Sequence, residues 1–260
     1  MSLAINLLKG GAFASVAADN AVAYAVVPNV SANQRAYLAG FAASFSAAVS
    51  AVKTITVSTS PLNLNEALST PALAAGSTDT KVANGWFTYL INGVAYQKAA
   101  VAAGTSLPSG TILADTWGAY RASISTAGTI TFTAADGNTD GSYTTEALAI
   151  AGLPEAPSGE SNMGYLTVLT ASGQPFIAGT DALQGGSSGN PSDDTNYTSA
   201  SATLTTVGAA LRWDFTNGPL LPLSLPLPLH GTEGQSLVVS LAASGSGGTT
   251  GSVVAFGGVN

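Results

Sequence analysis

Between Pro219 and Gly231 the chain reads Pro-Leu-Leu-Pro-Leu-Ser-Leu-Pro-Leu-Pro-Leu-His-Gly. Leu221, Leu223, Leu225, Leu227 and Leu229 alternate with Pro222, Ser224, Pro226, Pro228 and His230. A period of two marks a strand and sends all these leucines to one face. Burying one leucine is worth about 1.5–3 kcal/mol, so the row predicts a strand that anchors a core. The prolines add a constraint. Successive N–H groups in a strand point to opposite edges, and Pro222, Pro226 and Pro228 share parity. The donors they lack therefore all belong to one edge, while the leucine donors serve the other. Such a strand pairs on one side only. It belongs at the border of a sheet, with its outer rim blunted. The same prolines disfavour a helix.

The rest of the chain reads as an all-β protein. Arg35 to Phe45 alternates, which puts Tyr37, Ala39, Phe41, Ala43 and Phe45 on one expected face. Thr54 to Ser58 sets Ile55 and Val57 between threonines. Ala202 to Val207 and Leu211 to Phe215 are further expected strands, the latter with Leu211, Trp213 and Phe215 inward and Arg212 and Asp214 outward. Leu237, Val239 and Leu241 follow, then Val253 to Phe256. In between lie segments of a different texture. Phe87, Tyr89 and Ile91 lead through Asn92-Gly93 to Val94 and Tyr96, a type I′ hairpin signal. Trp117 to Ile124 and Thr129 to Thr133 flank Ala127-Gly128 as a second hairpin, and Tyr165 to Thr170 is a strand that turns at Ala171-Ser172-Gly173 towards Phe176 and Ile177. Thr144 to Ala151 is the best helix candidate, and Asn65 to Leu73 is either a helical turn or a loop. Two stretches have linker composition, Ser69 to Thr80 and Gln184 to Thr195. An inserted domain needs ends that lie close together, and paired flexible flanks supply them. The expected architecture is a discontinuous jelly-roll-like β-sandwich from residues 1–77 and 191–260. A small β-rich domain, 78–190, is inserted in it.

Length and charge limit the function classes. The chain has 260 residues, enough for a sizeable core. Charged residues make up 8%, far below the usual quarter or so. A surface of Ala, Gly, Ser and Thr has little side-chain entropy to lose, which suits permanent burial against other subunits. A net charge of −7 disfavours nucleic acid as a partner, and Lys9, Arg35, Lys53, Lys81, Lys98, Arg121 and Arg212 are scattered without forming a basic patch. The absence of cysteine excludes a disulfide framework and a thiolate metal site. No apolar run reaches the roughly 18–20 residues of a membrane span. Met1 to Asp19 reads as an extended arm. Lys9 interrupts its apolar start, so no signal peptide is expected, and the sequons at Asn29 and Asn196 then carry no weight.

Several patterns resemble chemical sites. Asp136-Gly137-Asn138-Thr139-Asp140-Gly141 spells the first half of a calcium loop, but position twelve is Ala147 and Glu146 falls one residue short. A polar Asx turn explains it better. Gly185-Gly186-Ser187-Ser188-Gly189 spells a nucleophile elbow without the strand and helix that an elbow needs, so it reads as linker. His230 is the sole histidine, expected at a strand end bonded to backbone. Asp193-Asp194 and Glu155/Glu160 read as solvated acids in loops. Trp86 and Trp117 suit either a core or a sugar-stacking platform, while Trp213 reads as core. These residues suggest no catalytic, cofactor or metal site, and no enzyme.

Two sets of segments resemble tailed-bacteriophage virion proteins. Arg35-Ala-Tyr-Leu-Ala-Gly-Phe-Ala-Ala-Ser-Phe-Ser-Ala-Ala and Lys53-Thr-Ile-Thr-Val resemble the first sheet of a phage jelly-roll module. Arg212-Trp-Asp-Phe-Thr-Asn-Gly-Pro, Leu225-Pro-Leu-Pro-Leu-His-Gly-Thr and Leu241 to Gly251 resemble its other half. Asn92-Gly-Val-Ala-Tyr-Gln-Lys-Ala, Leu153-Pro-Glu-Ala-Pro-Ser-Gly-Glu, Met163-Gly-Tyr-Leu-Thr-Val and Phe176-Ile-Ala-Gly-Thr-Asp-Ala-Leu are similar to a β-rich module of phage structural proteins. The resemblance implies a capsid decoration (cement) protein on the capsid exterior. It would bind the major capsid protein, form a homo-oligomer, and carry no active site. A tail-tip or fibre adhesin for host glycan and a cell-envelope hydrolase are the alternatives.

Overall fold

The computed structural model describes residues 15–16, 21–29, 32–49, 51–60, 65–78, 80–183, 195–200, 205–206, 212–215, 220–245 and 247–259. Strands dominate, and Glu146–Ala151 is the one α-helix among the described residues. The chain divides into two compact units. The first comprises Met1–Leu64, Asn92–Tyr96 and Ala202–Asn260, and the second comprises Asn65–Ile91 and Gln97–Ser201.

In the first unit the early and late parts of the chain interleave in two antiparallel sheets. One sheet runs in the order Ser15–Val16, Gly251–Val259, Arg35–Phe45, Leu220–Glu233. The other runs Thr205–Thr206, Lys53–Ser60, Ser236–Leu241, Ala23–Val27, and Arg212–Phe215 also pairs with Lys53–Ser60. Leu38, Phe41 and Val253 from the first sheet are fully buried, as are Ile55, Val57, Leu237, Val239 and Leu241 from the second. The two sheets meet closely at glycines. A Cβ on Gly231 would lie 3.0 Å from the Leu237 side chain, and one on Gly251 would lie 3.2 Å from that of Leu241.

The Leu/Pro segment forms the strand Leu220–Glu233 and stands at the border of its sheet, next to Arg35–Phe45. Its ladder departs from strict alternation. Ser224 lies opposite Gly40 and Leu229 opposite Leu38, so five steps along this strand match two along its neighbour. The extra residues span Pro226 and Pro228. Both prolines lie inside this bulge, where regular pairing is interrupted. Leu225 and Leu229 are consequently half-buried, short of the fully buried row that the alternation predicts.

A second bulge corrects the reading of Arg35–Phe45. The neighbouring strand steps from Phe256 opposite Gly40 to Gly257 opposite Leu38, leaving Ala39 unmatched. One inserted residue flips the side-chain phase. Tyr37 and Ala39 therefore sit half-exposed while Ala36, Leu38, Phe41 and Ala43 are buried, so the five residues do not share a face.

The second unit is built on the sheet Ile130–Ala134, Trp117–Ile124, Ser161–Leu169, Thr195–Ser199. Smaller sheets join Ala74–Ala75, Lys81–Asn84 and Val101–Ser106, and Thr111–Ile112 with Phe176–Ile177. Tyr120, Ile124, Met163, Leu166, Phe87 and Phe176 are buried in its core. The helix is capped by Thr145, whose side chain accepts the Leu148 N–H at 3.3 Å. Asn92 and Gly93, which belong to the first unit, have φ of 51° and 77° between the strands Phe87–Ile91 and Val94–Lys98, the left-handed pair of a type I′ turn. The two units change over at 64/65, 91/92, 96/97 and 201/202, where linker composition points to 77/78 and 190/191. Backbone pairing ties the flanking segments to the second unit. Asn65–Leu73 is a loop pinned by Glu66 and Ala67, which bridge Asn162 and Tyr89, and Thr195–Ser199 pairs along Ser161–Leu169. Backbone groups form such bonds whatever the side chains are, so small-residue composition does not exclude them.

Candidate functional site

The calcium-like loop turns its central oxygen inward. Asn138 is 2% exposed. Its Oδ1 accepts the Ala119 N–H at 2.9 Å, and its Nδ2 donates to the Ala119 carbonyl at 2.8 Å. Gly137 N–H donates to the Tyr143 hydroxyl at 2.8 Å. Asp140 accepts the Ser142 N–H at 2.9 Å and the Ser142 hydroxyl, and these bonds hold its carboxyl below the usual range. Glu146 accepts the Thr167 hydroxyl at 2.8 Å. Asn138, Asp140 and Glu146 thus serve three separate local structures, and among the described residues no three His, Asp or Glu cluster as metal ligands. Calorimetry with calcium is expected to show no heat. Asn138→Ala strands two buried bonds to one strand residue, and urea unfolding is expected to show a loss of about 2–4 kcal/mol.

Charged groups do gather at another place in the second unit. The ladder between Trp117–Ile124 and Ser161–Leu169 slips between Ala122 and Ser123. Buried Ser123 donates its hydroxyl to Glu160 Oε2 in a short bond. Arg121, two residues earlier, donates from Nε to the Pro154 carbonyl at 3.2 Å and from Nη1 to Asn162 Oδ1 at 3.3 Å. Glu66 bridges Asn162, and burial pushes its carboxyl up. A raised pKa means that ionising Glu66 opposes folding, so this contribution is largest at low pH and fades as pH rises through the folded value. Chemically the cluster is a clasp. Arg121 and Glu160 tie the 154–162 segment to the strand, and Ser123 spends its hydroxyl on a carboxylate with no histidine to activate it. Sequence reading treated Arg121 as a scattered cation and Glu160 as a solvated acid. The available signal was parity, since Arg121 and Ser123 lie two apart on one strand face.

The other candidates do not converge. Trp117 is half-buried and packs against the cluster of Ala119, Ala135, Tyr143 and Ala149. Trp86 is half-buried and Glu155 is exposed. Gly185 to Gly189, Asp193-Asp194 and the arm except Ser15–Val16 lie outside the described residues, as do the side chains of Trp213 and Asn196. Asn29 is fully buried, with Nδ2 donating to the Gln34 carbonyl at 2.7 Å, so its sequon is closed in the folded state.

His230 corrects the expectation of a backbone-bonded strand end. It is exposed, lies three residues inside its strand, and sets its ring 6.0 Å from that of Tyr37 across the ladder. The pair belongs to the outer face of the first sheet. Pairing places Gly258 beside Tyr37, Phe256 beside Gly40, Val254 beside Ala42 and Ser252 beside Ser44. Phe256 is 37% exposed. Among the described residues of these rows, charge enters at one end, where Arg35 and Glu233 meet at 3.8 Å, both well exposed. The face is broad, neutral and built mostly from small or apolar side chains. No protein-family model, curated protein or solved structure matches this chain.

Proposed function

We propose that the chain is a structural protein of a tailed-bacteriophage particle. In this reading it is a capsid decoration protein that sits on the capsid exterior, binds the major capsid protein and assembles as a homo-oligomer. The resemblance of its segments to phage virion proteins motivates the reading. The observation that carries it is the first sheet's outer face beside the proline-blunted strand Leu220–Glu233. An uncharged face loses little on desolvation when a partner covers it. A border strand interrupted by prolines is a poor template for a further strand, which limits docking to face contact.

The test is electron microscopy of particles with and without the protein, together with binding of the purified chain to empty capsids. Saturable density on the head is expected, and density at the tail alone would overturn the reading. Phe256→Asp places a charge in the middle of the face and is expected to weaken capsid binding at least tenfold, about 1.4 kcal/mol, with an unchanged melting point. The adhesin reading needs an open aromatic platform, and Trp117 is committed to packing. A glycan array is expected to show no bound sugar. The hydrolase reading needs a Ser/His pair or two convergent carboxylates, and within the clasp the Ser123 hydroxyl is already bonded to Glu160.

A further inference from the structure

The chain's sole histidine stands on the outer face of the first sheet. That face is open where the other sheet is closed. In the second sheet Val26 and Val238 face one way and Ala25 and Val239 the other, and all four are buried. On the first sheet His230 is exposed, Tyr37 is half-buried and Phe256 is exposed. The Tyr37 ring leans over the neighbouring strand, where a Cβ on Gly258 would lie 3.0 Å from its hydroxyl. His230 flanks Tyr37 from the strand on its other side, with the two rings tilted by 40°. Phe256 lies two residues before Gly258 along its strand. The result is an open aromatic patch, and one of its members changes charge near neutral pH, as histidine side chains do.

Few charged groups lie beside that ring. Arg35–Phe45 contributes Arg35 and Tyr37, and the strand of His230 contributes Glu233. Ser236–Leu241 and Gly251–Val259 carry no titratable side chain. Glu233, the one acid on these strands, is already paired with Arg35. A proton on His230 therefore adds a cation to the face without an acid of this chain to balance it. Covering an unbalanced imidazolium removes its hydration at high cost, whereas a neutral imidazole loses far less. We propose that protonation of His230 detaches the protein from its capsid partner, so that docking holds at neutral pH and is released in acid. This rests on the docking role given above to the same face. The sign follows from linkage. Docking favours the neutral ring, so affinity is full above the range in which histidine takes up its proton and falls as the pH drops through it.

The test measures binding of the full chain and of His230→Gln to empty capsids at equal ionic strength. Two conditions, about pH 7.5 and about pH 5.5, bracket the usual range of histidine. The wild type is expected to lose about tenfold more affinity on acidification than His230→Gln does. Titration of the capsid itself acts on both proteins and cancels in that comparison. Equal losses, or tighter wild-type binding in acid, would overturn the proton control and leave the docking face standing. No wild-type binding even at neutral pH would overturn the docking reading itself, and the control with it. Calorimetry in two buffers of different ionisation enthalpy, at about pH 6.5, counts protons directly. Docking of the wild type is expected to release more protons than docking of His230→Gln, and equal release would refute the proposal.

Discussion

Gly164→Ala is expected to destabilise the second unit by about 3–5 kcal/mol, near the upper end for a single substitution. Gly164 lies on Ser161–Leu169 where the ladder slips. Ala122 is opposite Gly164 and Ser123 is opposite Asn162, so Met163 has no counterpart. The backbone negotiates this bulge with φ of 120° at Gly164, which side chains rarely adopt, at a cost of about 1–3 kcal/mol. Space adds a second penalty. A Cβ there would lie 2.3 Å from the Thr198 carbonyl oxygen and 2.8 Å from the Ala200 nitrogen. Both are backbone atoms of the segment paired to this strand, so relief would pull Thr195–Ser199 off the sheet. Gly159→Ala is the control. Its φ is 80° but no atom lies within 4 Å of the added carbon, so only the conformational cost of about 1–2 kcal/mol is expected. Urea unfolding with unchanged slope measures both. Equal losses would show that the close approach does not matter.

Phe41→Ala is expected to cost the first unit about 3–5 kcal/mol, through lost burial and the cavity left behind. Phe41 is fully buried, with Ala255 opposite on the neighbouring strand. Tyr37→Ala, four residues away on the same strand, is expected to cost about 1 kcal/mol, since its ring lies half-exposed beside His230. The contrast is a direct test of the bulge at Ala39. A regular strand would put both rings on one face with similar costs, and comparable losses in the two variants would contradict the register.

Much of the architecture was legible from local chemistry. Three prolines of one parity placed Leu220–Glu233 at a sheet border, because a missing N–H is missing in any fold. Asn92-Gly93 announced its turn because few other pairs accept two left-handed residues. The helix at Glu146–Ala151 falls within the predicted 144–151, where Thr145 can cap it. Other features were not legible. The attachments of Glu66, Ala67 and Thr195–Ser199 are backbone bonds to residues far along the chain, which composition does not show. The loop at Asn138 reads as a polar turn, but its side-chain partner Ala119 is nineteen positions away. Glu160 reads as a solvated acid and Arg121 as a scattered cation, and their bonds to Ser123, Pro154 and Asn162 depend on how the strands pair.

The amino-acid sequence by itself determined that this is a chain of strands, where its tight turns fall, and which proline-rich strand suits a sheet border. Each of these depends on the period of side chains or on the covalent chemistry of proline and glycine, which a residue carries with it. Tertiary structure alone decided where one extra residue enters a ladder, and so which of Tyr37 and Phe41 is buried. It also decided which polar groups meet. These outcomes balance the packing of two sheets against continuous pairing, and that balance is set by distant neighbours.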